Sequence, residues 1–241
     1  MKFWRNVELD DITAGRLAEY ERMTGRKVAP PVPVELLAEE VFDLRLCYEP
    51  VDGVPGLSVF GCLSPSRRTV YVNEDFRALF NEKPGLERFT VAHEVGHWDL
   101  FEQHSDQKTG LLFGPPVSEV LNCRSRGGVP AKFIKGLWCE SDNDTFEVLS
   151  YLQQRRDAPT VASAVDRYAS ALLMPKSLLL PAFREANVTS WPDLYELRAR
   201  FKVSITALVV RLERLKQLFV TEGKQIFLGT REEYAGQQRL F

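Results

Sequence analysis

Apolar side chains recur three and four positions apart over much of this chain, and elsewhere they cluster in short runs bounded by turn-forming residues. The first pattern is typical of helices with one buried face, and the second is typical of strands. The runs predict strands at 44–48, 57–63 and 69–73, and they allow a further short strand at 225–228. The helical pattern covers 13–24, 34–42, 75–80, 84–101, 143–156, 160–174, 176–186, 191–201 and 204–218.

These elements predict an α+β fold in a single domain. A small three-stranded antiparallel sheet would pack on the helix at 84–101, and a mainly helical C-terminal half would close the other side of a cleft. We assign the whole of 1–241 to this domain and divide it into five parts. They are an N-terminal helix and linker at 1–29, the sheet and central helix at 30–101, an irregular loop or lid at 102–142, a helical half at 143–218 and a tail at 219–241.

Composition and charge narrow the classes of molecule that we expect this chain to bind. The net charge of −2 on 241 residues gives no footprint for general binding to nucleic acid or to membranes. No run approaches the roughly 18 apolar residues of a transmembrane helix, and the N-terminus lacks the apolar core of a signal peptide. We therefore expect a cytoplasmic protein. Its four cysteines lack the close pairs of a structural zinc site and are interpreted as free thiols; they are Cys47, Cys62, Cys123 and Cys139.

The most informative motif is His-Glu-Val-Gly-His at 93–97, which holds two of the three histidines of the chain. Positions i and i+4 lie on one helix face, so His93 and His97 can reach one metal ion. Glu94 then stands beside that ion, where it can deprotonate a bound water, as in the HExxH signature of zinc peptidases. The alternative is a structural core in which both rings are satisfied without metal. Apolar neighbours indicate a buried helix, where unpaired polar groups are costly, and this favours the metal site.

Further stretches around this motif resemble one known family. Arg-Phe-Thr-Val-Ala-His-Glu-Val-Gly-His-Trp at 88–98 is similar to the motif helix of ImmA/IrrE-type metallo-endopeptidases. The segment at 31–35, the strand end Val-Tyr-Val-Asn at 70–73 and the block Tyr-Ala-Ser-Ala-Leu-Leu-Met-Pro at 168–175 agree with the family in the same order. The resemblance extends to the final helix pair and spans about 30–218.

The resemblance implies a zinc-peptidase core and an intracellular protease. Members of the family typically cleave a helix-turn-helix transcriptional repressor and so release genes of mobile elements or stress responses. By the motif match, His93 and His97 would be zinc ligands and Glu94 the general base. The strand near 58–63 would be the sheet edge closest to the cleft, where an extended substrate pairs through its main chain. We expect any repressor to be a separate protein.

The third zinc ligand of the family is missing at its usual position. A glutamate stands there in the family, six positions before the aromatic matched by Tyr168, and this chain has Ala162. One alternative is Asp166, one turn further on the same helix face, although the family's residue there suggests a role next to the ligands. A second is a ligand from the irregular segment, and a third is a degenerate peptidase that binds a partner without cleaving it. The candidates in the irregular segment are His104, Cys123, Cys139, Glu140 and Asp142.

The final helix pair at 191–218 raises a different class of function, because it carries a local excess of three positive charges. Its apolar positions indicate packing against the body of the protein, with the charges on the solvated face. Direct binding of nucleic acid is therefore not expected. The leading hypothesis is a zinc-dependent endopeptidase acting on a repressor-like protein, and the alternative is a regulatory binding module built on the peptidase fold.

Overall fold

The computed structural model describes residues 4–51, 59–102, 122–125, 161–221 and 224–238, with 122–125 and 161–163 described by their backbone. The chain divides into two compact units. The first combines Met1–Gly128 with Pro159–Pro175, and the second combines Val129–Ala158 with Lys176–Phe241. Within the described ranges, no helix has both the length and the apolar character that crossing a bilayer requires. The single-domain interpretation stays a prediction.

The first unit holds five helices among its described residues. The N-terminal helix is longer than the sequence pattern predicted, beginning at Asn6 rather than at 13, and it ends as predicted at Gly25, which adopts φ 69°. The helix of the motif ends at His97 and passes directly into a π-helical turn, Trp98–Glu102. The five are α1 (Asn6–Thr24), α2 (Val34–Glu40), α3 (Arg77–Glu82), α4 (Pro84–His97) and α5 (Val161–Leu173).

The sheet of the first unit has four described strands. They are β1 (Arg45–Glu49), β2 (Val59–Ser64), β3 (Thr69–Asn73) and β4 (Asn122–Ser125), in the spatial order β1-β3-β2-β4. The β2 and β3 strands form the predicted antiparallel pair, with Gly61 opposite Val72. The β4 strand pairs antiparallel with β2, whereas β1 pairs parallel with β3.

The predicted three-stranded antiparallel sheet is therefore wrong in two respects, although the α+β class is confirmed. The sheet is mixed, because β1 crosses over and joins the far side of β3 instead of pairing with β2. It also gains β4 from the segment that was interpreted as an irregular loop. Apolar runs indicate where strands lie but carry no direction, and the connection at 50–58 is too long to impose a hairpin.

The motif helix α4 lies between this sheet and α5 and contacts both of them. Every residue of β2 is buried, in keeping with its inner position in the sheet. The guanidinium of Arg88 fastens α4 to the preceding elements by donating to the carbonyl of Val32 and lying 3.4 Å from Oε2 of Glu35. The histidine motif is thus carried on a helix enclosed by other elements of its unit.

Gly61 marks the closest approach of β2 to α4. A Cβ added there would lie 2.6 Å from Cγ2 of Thr90 and 2.8 Å from the carbonyl oxygen of Tyr71. We expect Gly61→Ala to lower the free energy of unfolding by about 1–3 kcal/mol, because overpacking forces the strand and the helix apart. Urea unfolding measures this loss.

The matched control for that prediction is Gly15→Ala in α1. A Cβ at Gly15 meets no atom of the described chain within 4 Å. The same substitution should therefore stabilise the protein by up to about 1 kcal/mol through the higher helix propensity of alanine. Equal effects of the two variants would contradict the close packing assigned to Gly61.

The second unit begins its described part with three helices and continues with a two-stranded antiparallel sheet and a last helix. Ser204, the first residue of the helix predicted at 204–218, is its N-cap, and its Oγ accepts from the backbone N–H of Ala207 at 3.1 Å. The helix that follows ends at Arg214 rather than at 218, because Lys216 turns the chain with φ 59°. The elements are α6 (Lys176–Ala186), α7 (Trp191–Phe201), α8 (Ile205–Arg214), β5 (Leu218–Val220), β6 (Ile226–Leu228) and α9 (Arg231–Gln238).

Candidate metal and catalytic site

His93 and His97 lie one turn apart on α4, as the motif spacing requires, and their ring centroids are 4.9 Å apart. His93 is 5% exposed and Glu94 is fully buried. Proline in the first turn starts this helix without sacrificing a hydrogen bond, and the C-terminal turn continues without interruption into the π-helical turn. The two imidazoles are therefore held by regular backbone and converge on one face.

Asp166 in α5 approaches His93 across the contact between the two helices. Its Oδ1 lies 2.9 Å from Nδ1 of His93. A carboxylate only accepts hydrogen bonds, so Nδ1 of His93 must carry the proton and donate it. In the neutral ring this leaves Nε2 with its lone pair, which is the tautomer that metal-binding histidines adopt when a carboxylate supports them. Asp166 thus occupies the place of a group that orients His93.

Burial lowers the pKa of His97 to about 4, and the nearby His93 ring lowers it in the same direction. Asp166 acts in the opposite sense without reversing the result. At neutral pH the His97 ring is consequently uncharged, with one nitrogen free of a proton. An uncharged imidazole is the form that binds a divalent metal, so the donor chemistry of the pair fits zinc.

Glu94 projects from the same turn toward β2. A Cβ built on Gly61 would lie 3.9 Å from Cγ of Glu94. The backbone of β2 therefore passes close to the Glu94 side chain. The absence of a side chain at Gly61 makes this approach feasible. A carboxylate beside two imidazoles on an HExxH helix is the arrangement of a general base next to a metal site.

The third ligand is not supplied by the part of the chain that the structure describes. Within those ranges no group of three His, Cys, Asp or Glu side chains is placed to hold a metal ion. Ala162 lies in the first turn of α5. Asp166, the first alternative, lies against the ring of His93. The remaining candidates, His104, Cys139, Glu140 and Asp142, fall outside the described residues, and Cys123 stands opposite Cys62 in the β2–β4 pairing.

The structure also identifies a cluster beside the site that was not predicted from the sequence. Asp99, in the π-helical turn, is 3% exposed and accepts from the guanidinium of Arg16 in α1, with Nη2 at 2.6 Å and Nε at 3.1 Å. Tyr168 of α5 donates to the same carboxylate at 2.7 Å. The hydrogen bond to Asp99 raises the pKa of Arg16, and burial raises that of Tyr168 well above its ordinary value. The sequence signal that was overlooked is an acidic residue, Asp99, in an otherwise apolar run.

Arg167 and Tyr168, which follow Asp166 on α5, are both engaged by other side chains. Tyr168 is fully buried, and its hydroxyl is engaged by Asp99. Arg167 donates from Nη1 to Oδ1 of Asn6 at 3.1 Å. Both side chains thus tie α5 to neighbouring parts of the first unit.

The strand near 58–63 was expected to form the sheet edge closest to the cleft. This prediction is wrong for the described sheet, because β2 lies between β3 and β4. The edge strands are β1 and β4, and β4 occupies the side of β2 where an extended peptide would have paired. The error came from interpreting the Gly- and Pro-rich segment after α4 as having no strand.

Comparison with known proteins adds little to this geometry. No family model matches the chain, and no curated protein matches it. Among solved structures, a Mycobacterium tuberculosis transcriptional regulator aligns with 95% of this chain at 12% sequence identity and a TM-score of 0.46. The chain spans 57% of the length of that protein.

Proposed function

We propose that the protein is a zinc-dependent endopeptidase that resembles the ImmA/IrrE type. The observation that carries the proposal is the pair of histidines one turn apart on α4, of which buried His93 is oriented by Asp166 and half-buried His97 is uncharged at neutral pH. A zinc site requires ring nitrogens that carry no proton, and it requires them on one helix face. Burial alone also keeps a core histidine uncharged, but it does not require two imidazoles one turn apart on the same face.

The side chains take the following parts in this proposal. His93 and His97 would hold a zinc ion, and Asp166 keeps the proton of His93 on Nδ1. Glu94 accepts a proton from the attacking water and later delivers it to the amine of the leaving group. When bound, zinc lowers the pKa of that water to about 7 and polarises the scissile carbonyl. The site also requires a third ligand from outside the described residues, since Ala162 replaces the family's glutamate.

The substrate that we propose is a protein regulator, with a helix-turn-helix transcriptional repressor as the leading class. This part rests on the resemblance at 88–98 and 168–175. Cleavage would release genes of a mobile element or of a stress response, in the cytoplasm. The proposal assigns no direct nucleic-acid binding to this chain.

Zinc content and cleavage test the proposal together. Protein purified without chelators or affinity-tag metal should hold about one equivalent of zinc per chain, and His93→Ala should lose it. Incubation with a cell extract, followed by mass-spectrometric mapping of new protein N-termini, should reveal cleavage by the wild type. Glu94→Gln should give none, because the remaining amide cannot accept the proton of the water.

The matched control is Glu87→Gln, the same substitution two turns earlier on α4. It should cleave like the wild type and hold the same amount of zinc. If wild type and Glu94→Gln produced the same set of new N-termini, the proposed role of Glu94 would be wrong.

A second function is favoured by the replacement at Ala162 and by the lack of a three-ligand group in the described residues. In this alternative the protein is a degenerate peptidase that binds a regulator without cutting it. It predicts far less than one equivalent of zinc and a stable complex with an intact partner. Fragments of that partner after incubation would exclude it.

A further inference from the structure

We propose that Arg16 of α1 is a positioning residue of the candidate site: by holding Asp99 between α4 and α5 it sets the hydrogen bond from His93 to Asp166. The inference rests on the proposed function only in treating His93 as a metal ligand. It extends the functional unit to the N-terminal helix, which lies outside the region of family resemblance at 30–218.

Asp99 connects the turn after α4 to both α1 and α5 through its hydrogen bonds. It follows His97 by two residues and lies in the π-helical turn that extends the motif helix. Arg16 binds its carboxylate through Nε and Nη2, and Tyr168 donates to Oδ2. Since π-helical turns are rare and frequently occur at functional sites, a buried carboxylate there indicates a specific role.

The same helix that carries Tyr168 carries Asp166 two residues earlier. Asp99 therefore joins α4 to α5 beside the contact between His93 and Asp166. Packing leaves little freedom between the helices, because a Cβ on Gly96 would lie 2.9 Å from Cδ1 of Tyr168 and 3.1 Å from Cγ1 of Val165. A shift of Tyr168 would consequently move Asp166 relative to the imidazole.

Arg16 is suited to hold Asp99 in place because its planar, rigid guanidinium can donate two hydrogen bonds to one carboxylate. It is itself fixed from two other sides: Nη1 lies 3.0 Å from Oε2 of Glu19, and Cζ lies 5.4 Å from the centre of the Phe42 ring. A second tie, from Arg167 to Asn6, joins α1 to α5 at another point. The N-terminal helix is thus bound both to the turn that follows α4 and to α5.

The test compares Arg16→Met and Arg16→Lys with Arg22→Met, an exposed position on the same helix. Two readouts are used on the full chain. Nitrogen-detected NMR of the metal-free protein follows Nδ1 of His93, and titration with Co²⁺ measures metal affinity from the visible absorption. Arg16→Met should shift the His93 resonance and weaken Co²⁺ binding about tenfold or more, as loss of ligand support does elsewhere. Arg16→Lys keeps the positive charge but not the paired donors of the guanidinium. Its effects on the His93 resonance and on Co²⁺ affinity should therefore lie between those of the wild type and Arg16→Met. Arg22→Met should match the wild type in both readouts.

A general loss of structure is distinguished by a second background. In Asp166→Asn, where the carboxylate that His93 contacts is already gone, Arg16→Lys should cause no further change of the His93 resonance. An equal change in both backgrounds would overturn the inference, and so would an unshifted resonance in Arg16→Met or Arg16→Lys. If the wild type bound no Co²⁺ while the resonance still responded to Arg16, the positioning role would stand and the proposed metal site would fail.

Discussion

Replacing Asp99 by alanine is expected to lower the free energy of unfolding by about 3–5 kcal/mol, the range for removing one partner of a buried ion pair. The substitution leaves the hydroxyl of Tyr168, which is fully buried, without its acceptor. It also leaves the Arg16 guanidinium without its main counter-charge. Because the Arg16 side chain is 24% exposed, water recovers part of the second loss. Urea denaturation of the metal-free protein measures the change.

Two further variants separate the ion pair from general damage. The double variant Arg16→Met with Asp99→Ala removes both charges, so it should cost less than the sum of the two single variants. Glu40→Ala removes an exposed carboxylate at the end of α2 and should change stability by no more than about 0.5 kcal/mol. Additive single effects would contradict the coupling that we assign to Arg16 and Asp99.

The metal-free protein is expected to lose about 3 kcal/mol of stability on acidification because of His97 alone. Its pKa falls from the ordinary 6.5 to about 4 in the folded state, since burial disfavours the charged ring. Between these values the unfolded chain binds the proton more readily than the folded chain does. The contribution is fully present above pH 6.5 and is lost as the pH falls through this window to about 4.

The measurement compares urea unfolding at about pH 7 and about pH 4.5 for wild type and His97→Gln, both free of metal. The other titratable groups are present in both proteins. The difference between the two proteins in the slope of the free energy of unfolding against pH is therefore due to His97. A wild-type slope in His97→Gln as well would mean that the ring is not buried in its neutral form.

The elements that were predicted correctly are those in which the spacing of apolar residues agrees with the turn-forming residues at their ends. Thr69–Asn73 was placed to the residue, the helix predicted over 13–24 ends at Thr24, and the helix predicted from 204 begins at Ile205. The two histidines converge because i and i+4 spacing forces them to, whatever surrounds the helix. Local rules decide such features, so the sequence suffices for them.

Features that depend on distant parts of the chain were missed or misplaced. The parallel pairing of β1 with β3 and the insertion of β4 beside β2 depend on tertiary packing, which apolar runs do not encode. The contact of Arg16 with Asp99 joins positions 83 apart in the sequence. One local signal was overlooked: Thr230 and Glu233 form reciprocal hydrogen bonds that start α9, in the tail where no helix was predicted.

The position of α5 in the chain has a consequence for biosynthesis. The helix completes the first unit with residues that are translated long after the motif, and chains emerge from the ribosome N-terminal end first. Until α5 appears, His93 has neither Asp166 beside it nor the cover that α5 gives to α4. A nascent chain halted before Val161 would carry the intact motif sequence but lack the environment that orients it. The surroundings of His93 are therefore completed only after α5 has been translated.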